Sequence, residues 1–221
     1  MNKDSVYTTF HHQVAAVGLG RVEPALDALA LPGIGLSPDV VDQAMLPLGC
    51  SKMGGQPDLA PGTLWPHWRG APLAFLAQFN LAEVAPYDIE HALPPTGMLS
   101  FFYEAEAQPW GYEASDRGAW QVIYQEVSAS ALVRYALPTE MPQFSRLASQ
   151  SLRFDAYMTL PDDMRQERIG LVDSEERAYF ELFQQTNPLA HQLLGHPHPI
   201  QGAMQGDCAI HSAPGRVFQL F

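Results

Sequence analysis

Three stretches decide the fold: Leu73-Ala-Phe-Leu-Ala-Gln-Phe-Asn80, Met98-Leu-Ser-Phe-Phe-Tyr-Glu104 and Ala119-Trp-Gln-Val-Ile-Tyr-Gln-Glu-Val127. Each is short, rich in aromatic and branched apolar residues, and bounded by Pro, Gly or Asp clusters, which is strand composition. In the last, Trp120, Val122 and Tyr124 alternate with Gln121, Ile123 and Gln125, a pattern that fits one buried and one partly wet face. Three such segments assemble most simply as an antiparallel sheet. Between the second and third, Ala105–Gly118 reads as a long hairpin loop, and Leu81–Tyr87 offers a turn of helix after the first.

Outward from this centre the periodicity changes. Val6, Phe10, Val14 and Val17 recur at three and four, so the spacing predicts a helix over 5–17, with Asp4 or Ser5 as N-cap and Gly18 as stop. Pro24, Pro32, Gly33, Gly35 and Pro38 break up the next stretch of chain, leaving a short helix at Ala25–Leu29 and a short strand at Gly33–Leu36. Near the other end Asp173 or Ser174 can cap a helix whose apolar face is Tyr179, Phe180, Leu182 and Phe183, closed before Pro188. A second short helix is read at Leu189–Leu194. The result is one α+β domain over 1–221: a largely antiparallel sheet, a few short helices and long Pro/Gly-rich loops.

Composition excludes several classes. Apolar residues are 47% of the 221, enough for a core, so global disorder is out. The formal charge of −12 repels phosphate and acidic lipid headgroups, and no basic stripe offsets it, so neither nucleic acid nor membrane is expected as a partner. The apolar run Pro72–Ala82 falls short of the ~20 residues that span a bilayer. With no apolar run in Met1–Phe10 and only Cys50 and Cys208, the expected setting is the reducing cytoplasm.

The chemistry-bearing residues concentrate in Cys50-Ser-Lys-Met-Gly-Gly-Gln-Pro-Asp58, which with Pro61 to Trp68 reads as an ordered loop, because its glycines and prolines forbid a regular helix or a central strand. Gly54-Gly55 lets backbone amides converge into an anion-binding concavity, with Lys52 beside it and Ser51, Gln56 and Asp58 around it. The plainer alternative pairs Lys52 with an internal acid such as Asp58. Trp65, Trp68 and Trp110 sit in Pro/Gly-rich loops, where an indole either packs on the sheet or lines a recognition surface. His191, His196, His198, Cys208 and His211 are metal-donor types, but their spacing fits no standard zinc pattern. No metal and no cofactor is therefore expected. His11-His12 reads as the polar edge of the first helix.

Several of these segments resemble a known family. Ser51 to Leu59, Trp65-Pro66, Pro72 to Leu81, Gly97 to Tyr103, Trp110-Gly111, Gly118 to Val122, His191 to Pro197 and Pro199 to Gln205 are similar, in that order, to the YwqG-like family, a bacterial domain of unknown function. The resemblance covers 47–208 and implies an α+β fold with antiparallel strands. It implies no reaction. It also implies a further apolar stretch and strand pair after the Met204-Gln205 segment, which Pro214 to Phe218 does not match; an exposed sheet edge or face, or a homodimer that covers it, is the expected consequence.

The leading expectation is a non-catalytic protein- or peptide-binding module whose acidity favours a basic partner. The alternative is a small-ligand site or an enzyme built around Ser51, Lys52 and Asp58. Candidate binding residues are Ser51, Lys52, Gln56, Asp58, Trp65, Gln78, Asn80, Trp110, Gln201 and Gln205, with no residue assigned a catalytic or metal-binding role.

Overall fold

A computed structural model describes residues 2–111, 113–161, 169–187 and 191–197. In chain order the main elements are helix α1 (Lys3–Ala16), helix α2 (Glu23–Leu29), strand β1 (Leu31–Val40), β2 (Lys52–Met53), β3 (Asp58–Leu59), β4 (His67–Trp68), β5 (Ala71–Pro72), β6 (Ala74–Asn80), helix α3 (Leu81–Val84), β7 (Met98–Tyr103), β8 (Trp120–Gln125), β9 (Val133–Arg134), β10 (Gln150–Thr159), helix α4 (Glu176–Thr186) and β11 (His191–Leu194). Every strand pair whose register is defined is antiparallel, and the α+β expectation holds.

The chain divides into two compact units. The first takes the residues up to Ser37, the stretch Tyr87–Glu90 and the described residues from Phe154 on. Its core is built by α1, α2, α4 and the second half of β10: Phe10, Val14, Leu26, Leu160, Tyr179 and Leu182 are all shut off from solvent. The α1 periodicity is the predicted one, with Val6, Phe10 and Val14 inward, although Asn2 rather than Asp4 or Ser5 caps it. In α4, Tyr179, Leu182 and Phe183 turn inward but Phe180 is exposed, so the apolar face is narrower than the sequence suggests.

Its strands run in the order β11-β1-β10. β1 is longer than the expected Gly33–Leu36, and its glycines have a packing reason. A Cβ at Gly35 would come within 2.8 Å of the Tyr157 ring, and one at Gly33 within 3.0 Å of Thr159 Cγ2. The Leu189–Leu194 helix is corrected: His191–Leu194 is a strand paired with Gly33–Leu36, because apolar runs of that length do not discriminate helix from strand.

The second unit spans 38–86 and 91–153. Its sheet runs β10-β2-β6-β7-β8, flanked by the two-stranded pairs β3-β9 and β4-β5. β6, β7 and β8 fall within the three predicted stretches and pair over their lengths, with one bulge between Phe75 and Ala77. Leu59, Leu73, Phe75 and Phe102 form the core beneath, with Trp65 edge-on to Phe102 at 5.5 Å. No helix among the described residues is long and apolar enough to cross a membrane.

Candidate functional site

The loop reading of 50–58 needs correction. Lys52–Met53 is a central strand, hydrogen-bonded between β6 and β10, and Asp58–Leu59 pairs with β9. Two residues per strand is all the glycines and Pro57 permit. Gly54 and Gly55 take φ of +62° and +67°, in the left-handed region that favours glycine, and turn the chain between the two strands. Their surroundings leave no room for a side chain: a Cβ on Gly54 would collide with the Ala148 carbonyl, and one on Gly55 with the Gln43 and Ser149 side chains.

Register then assembles the charges. Lys52 lies opposite Gln78, and Asp58 opposite Arg134. Lys52 and Asp58 have no solvent-exposed side-chain surface, and Lys52 Nζ donates to Asp58 Oδ2 at 2.8 Å. Arg134 Nε donates to Asp58 Oδ1 at 2.8 Å. Asp58 Oδ2 also accepts from Gly49 N–H and Gln78 Nε2, each at 3.0 Å. The remaining Arg134 donors reach the carbonyls of Gln43, Leu46 and Pro47. The Lys52–Asp58 pairing is thus the internal one the sequence offered as the plainer alternative.

Around this ion cluster a second layer of hydrogen bonds ties the same segment to β6 and α3. Gln78 accepts from the Asp58 amide at 2.7 Å and donates to the Cys50 carbonyl at 2.8 Å. Ser51 Oγ accepts from the Asn80 amide, while the Asn80 side chain donates to Gly49 O and caps α3 through Ala82 N–H. The Ser51 amide is held by Glu83, and the Gln56 amide by Gln43 Oε1, which also accepts from Ser149 Oγ. Ser51, Lys52, Asp58, Gln78 and Asn80 therefore come together, Gln56 joins through its backbone, and the hydrogen bonds run inward, from side chain to side chain and side chain to backbone.

Electrostatics follow burial. Desolvation alone would push the Asp58 carboxyl up, but hydrogen bonds from Arg134 and Lys52 outweigh it and hold the group below the usual carboxylate range. The Arg134 guanidinium is pushed up by the same bond. Burial raises the Cys50 thiol against the pull of Lys52, which makes it a poor nucleophile.

The remaining candidates separate. Trp65 donates its indole N–H to Leu73 O and packs on the core. Trp110 is 66% exposed. Gln201 and Gln205, like His198, Cys208 and His211, lie outside the described residues. His191 is exposed on β11, while the His196 ring is bonded to Leu29 O at 2.7 Å and burial pushes its pKa down. Sequence reasoning missed Arg134, Glu83 and Ser149, distant in sequence from the 50–58 segment, and Gln43 just before it, none of them marked by a local pattern.

β8 carries the second feature. Ile123 packs on the core and Gln125 anchors Ala60 N–H and Thr63 Oγ1, so the Trp120, Val122 and Tyr124 side faces out, at 43%, 38% and 44% exposure. Across the register this face grades inward: Leu99, Phe101 and Tyr103 on β7 are half-buried, and Ala77 and Phe79 on β6 are buried.

Fold and site together define an α+β protein pinned by a buried lysine–aspartate–arginine cluster behind a sheet that ends in an aromatic edge. The chain belongs to the family described as domain of unknown function (DUF1963), whose sequence pattern matches residues 51–217 and so takes in every member of the ion cluster. No curated protein matches the chain.

Proposed function

We propose that this YwqG-like protein is a non-catalytic binding module of the bacterial cytoplasm that takes a basic protein or peptide segment as an added strand along β8. The observation that carries the reading is the make-up of that edge. Trp120–Gln125 has a strand neighbour on one side only among the described residues, and it contains no charge and no proline. Those are the devices by which sheet edges are ordinarily kept from pairing. Strand addition supplies affinity through the backbone and specificity through alternate side chains, here Trp120, Val122 and Tyr124, with Trp110 in the preceding loop.

Charge selects the partner. Exposed Glu106 and Glu113 lie in the loop before β8 with Asp116, and exposed Glu126 follows it, against Arg117 and Arg69, whose guanidinium donates to Ser115 O in that loop. On a chain of net charge −12 this rim favours lysines or arginines flanking an apolar strand. Ser51, Lys52, Gln56, Asp58, Gln78 and Asn80 contribute from behind, by fixing the sheet, and Trp65 by packing beneath it.

The test is fluorescence anisotropy with a short peptide of alternating valine and threonine flanked by lysines, beside a twin with glutamates in place of the lysines. Binding of the basic peptide alone, weakened by about 2 kcal/mol, some thirtyfold, in Trp120→Ala, supports the proposal. Equal binding of both peptides, no binding of either, or a Trp120→Ala affinity equal to the parent's refutes it. A stable dimer that Val122→Lys dissociates would refute it too, by assigning the edge to a second copy.

A further inference from the structure

Helices α1 and α2 bring together three metal-donor side chains that play no part in the β8 reading. His11 on α1, Glu23 at the start of α2 and Asp27 one turn further on each offer a ligand atom, and the three atoms lie within 4.8 Å of one another. The helices are firm supports: Phe10 and Val14 flank His11 from the core side, and Val22 and Leu26 do the same for α2. The His11 ring is further bracketed by Tyr7, edge-on at 6.5 Å, and Phe10 at 6.1 Å.

The charge at this point is only partly compensated. Glu23 and Asp27 are four apart on one helix face, where two carboxylates repel. Neither is paired with a lysine or arginine among the described residues: Arg21 is engaged by Glu175 and the Gly170 carbonyl, and Lys3 by Glu90. His11 Nε2 lies 3.0 Å from Asp27 Oδ1. That contact accounts for one carboxylate, while the Glu23 side chain has no hydrogen bond among the described residues.

We propose that His11, Glu23 and Asp27 form a solvent-open site for a divalent transition metal of the Zn²⁺ class. One imidazole with two carboxylates is a mixed nitrogen and oxygen set that suits Zn²⁺ or its neighbours better than Ca²⁺ or Mg²⁺, which favour oxygen alone. Ligand bonds of about 2.0–2.2 Å put tetrahedral donor atoms roughly 3.3–3.6 Å apart, so donors that now lie within 4.8 Å of one another have little distance to close. His11 and Glu23 are half-buried and Asp27 is exposed, leaving the remaining coordination position to water. The three residues precede the 51–217 family match.

The experiment uses the full chain without a histidine tag, stripped with chelator and titrated with ZnCl2 by calorimetry, with Co²⁺ absorption as a reporter of coordination. One equivalent bound, weakened about tenfold or more in both Glu23→Gln and Asp27→Asn and unchanged in His191→Ala, is the expected result. Glu23→Gln removes no hydrogen bond within the described residues, so its circular dichroism should match the parent and any loss is a loss of ligand. Absence of binding up to millimolar Zn²⁺, or binding that survives Glu23→Gln, Asp27→Asn and His11→Ala undiminished, overturns the proposal. Trp120→Ala leaves the Zn²⁺ titration unchanged, so the two proposals fail independently.

Discussion

Replacing Asp58 by Asn should cost more than any other single change in the buried cluster. Its carboxylate accepts five hydrogen bonds, from Gly49, Lys52, Gln78 and twice from Arg134. An amide of the same shape presents a donor to donors and leaves Lys52 and Arg134 facing each other without an anion. Stranding a buried charge in this way costs about 3–5 kcal/mol, a large share of the roughly 5–15 kcal/mol that holds a domain folded. Lys52→Met is different, because Asp58 keeps Arg134, Gly49 and Gln78 as donors. Its expected cost is about 1–2 kcal/mol. In the double variant the stranded ammonium is gone and Arg134 retains three carbonyl partners, so about 2 kcal/mol of the Asp58→Asn loss should return.

Urea unfolding read by tryptophan fluorescence is the assay, since Trp65, Trp68, Trp110 and Trp120 are the four tryptophans and all lie in the second unit. The sign with pH follows from the depressed Asp58 pKa. Its folded value lies below the unfolded ~3.9, so its contribution is fully present above that value and is lost as pH falls through the folded one. The gap between parent and Asp58→Asn should therefore narrow in acid. Equal costs for Lys52→Met and Asp58→Asn, or a double variant whose loss is the sum of the two, would refute the reasoning.

Two further outcomes test the fold directly. Gly54→Ala should destabilise the second unit by well over the ~1–2 kcal/mol of a left-handed backbone, because the Ala148 carbonyl stands where the Cβ must go, whereas Gly62→Ala, at φ +84° with nothing within 4 Å, should cost only that backbone figure; urea midpoints of the two variants decide it. Asn187→Ala should cost about 2–4 kcal/mol in the first unit, since the Asn187 side chain serves both Leu160 N–H and Leu160 O at 2.9 and 2.8 Å in a buried setting; hydrogen exchange at Leu160 should accelerate, and an unchanged rate would contradict the assignment.

What the sequence made legible is what local pattern encodes. β6, β7 and β8 fall within the expected stretches, and α1 shows the expected inward residues, because side-chain period and bounding turns fix them. β10 carried the same signal, Leu152, Phe154, Ala156 and Met158 alternating with Ser151, Arg153, Asp155 and Tyr157, yet lies in a region where no strand was expected. β1 was cut short by its own Pro32, Gly33, Gly35 and Pro38, whose glycines answer to Tyr157 and Thr159 more than a hundred residues away. The polar site divides in the same way. Ser51, Lys52, Asp58, Gln78 and Asn80 stand out by composition, but Arg134 enters only through the β3–β9 register, and register is a tertiary fact.

That division also shows what the polar cluster does for the sheet. A central strand of two residues gives β6 few ladder hydrogen bonds on its β2 side, where β7 gives it six register pairs. Bonds that link Gln78 and Asn80 on β6 to Gly49, Cys50, Ser51 and Asp58 supply what the short ladder lacks, and the buried ones, between Gln78 and Asp58, are stronger than the same bonds in water. The sheet is thereby held from its interior, and β8 contributes through Ile123, packed on the core, and Gln125, bonded to Ala60 N–H and Thr63 Oγ1. Trp120, Val122 and Tyr124 face out from a strand whose backbone is already ordered, so the strand addition proposed above would have little further conformational entropy of this chain to remove.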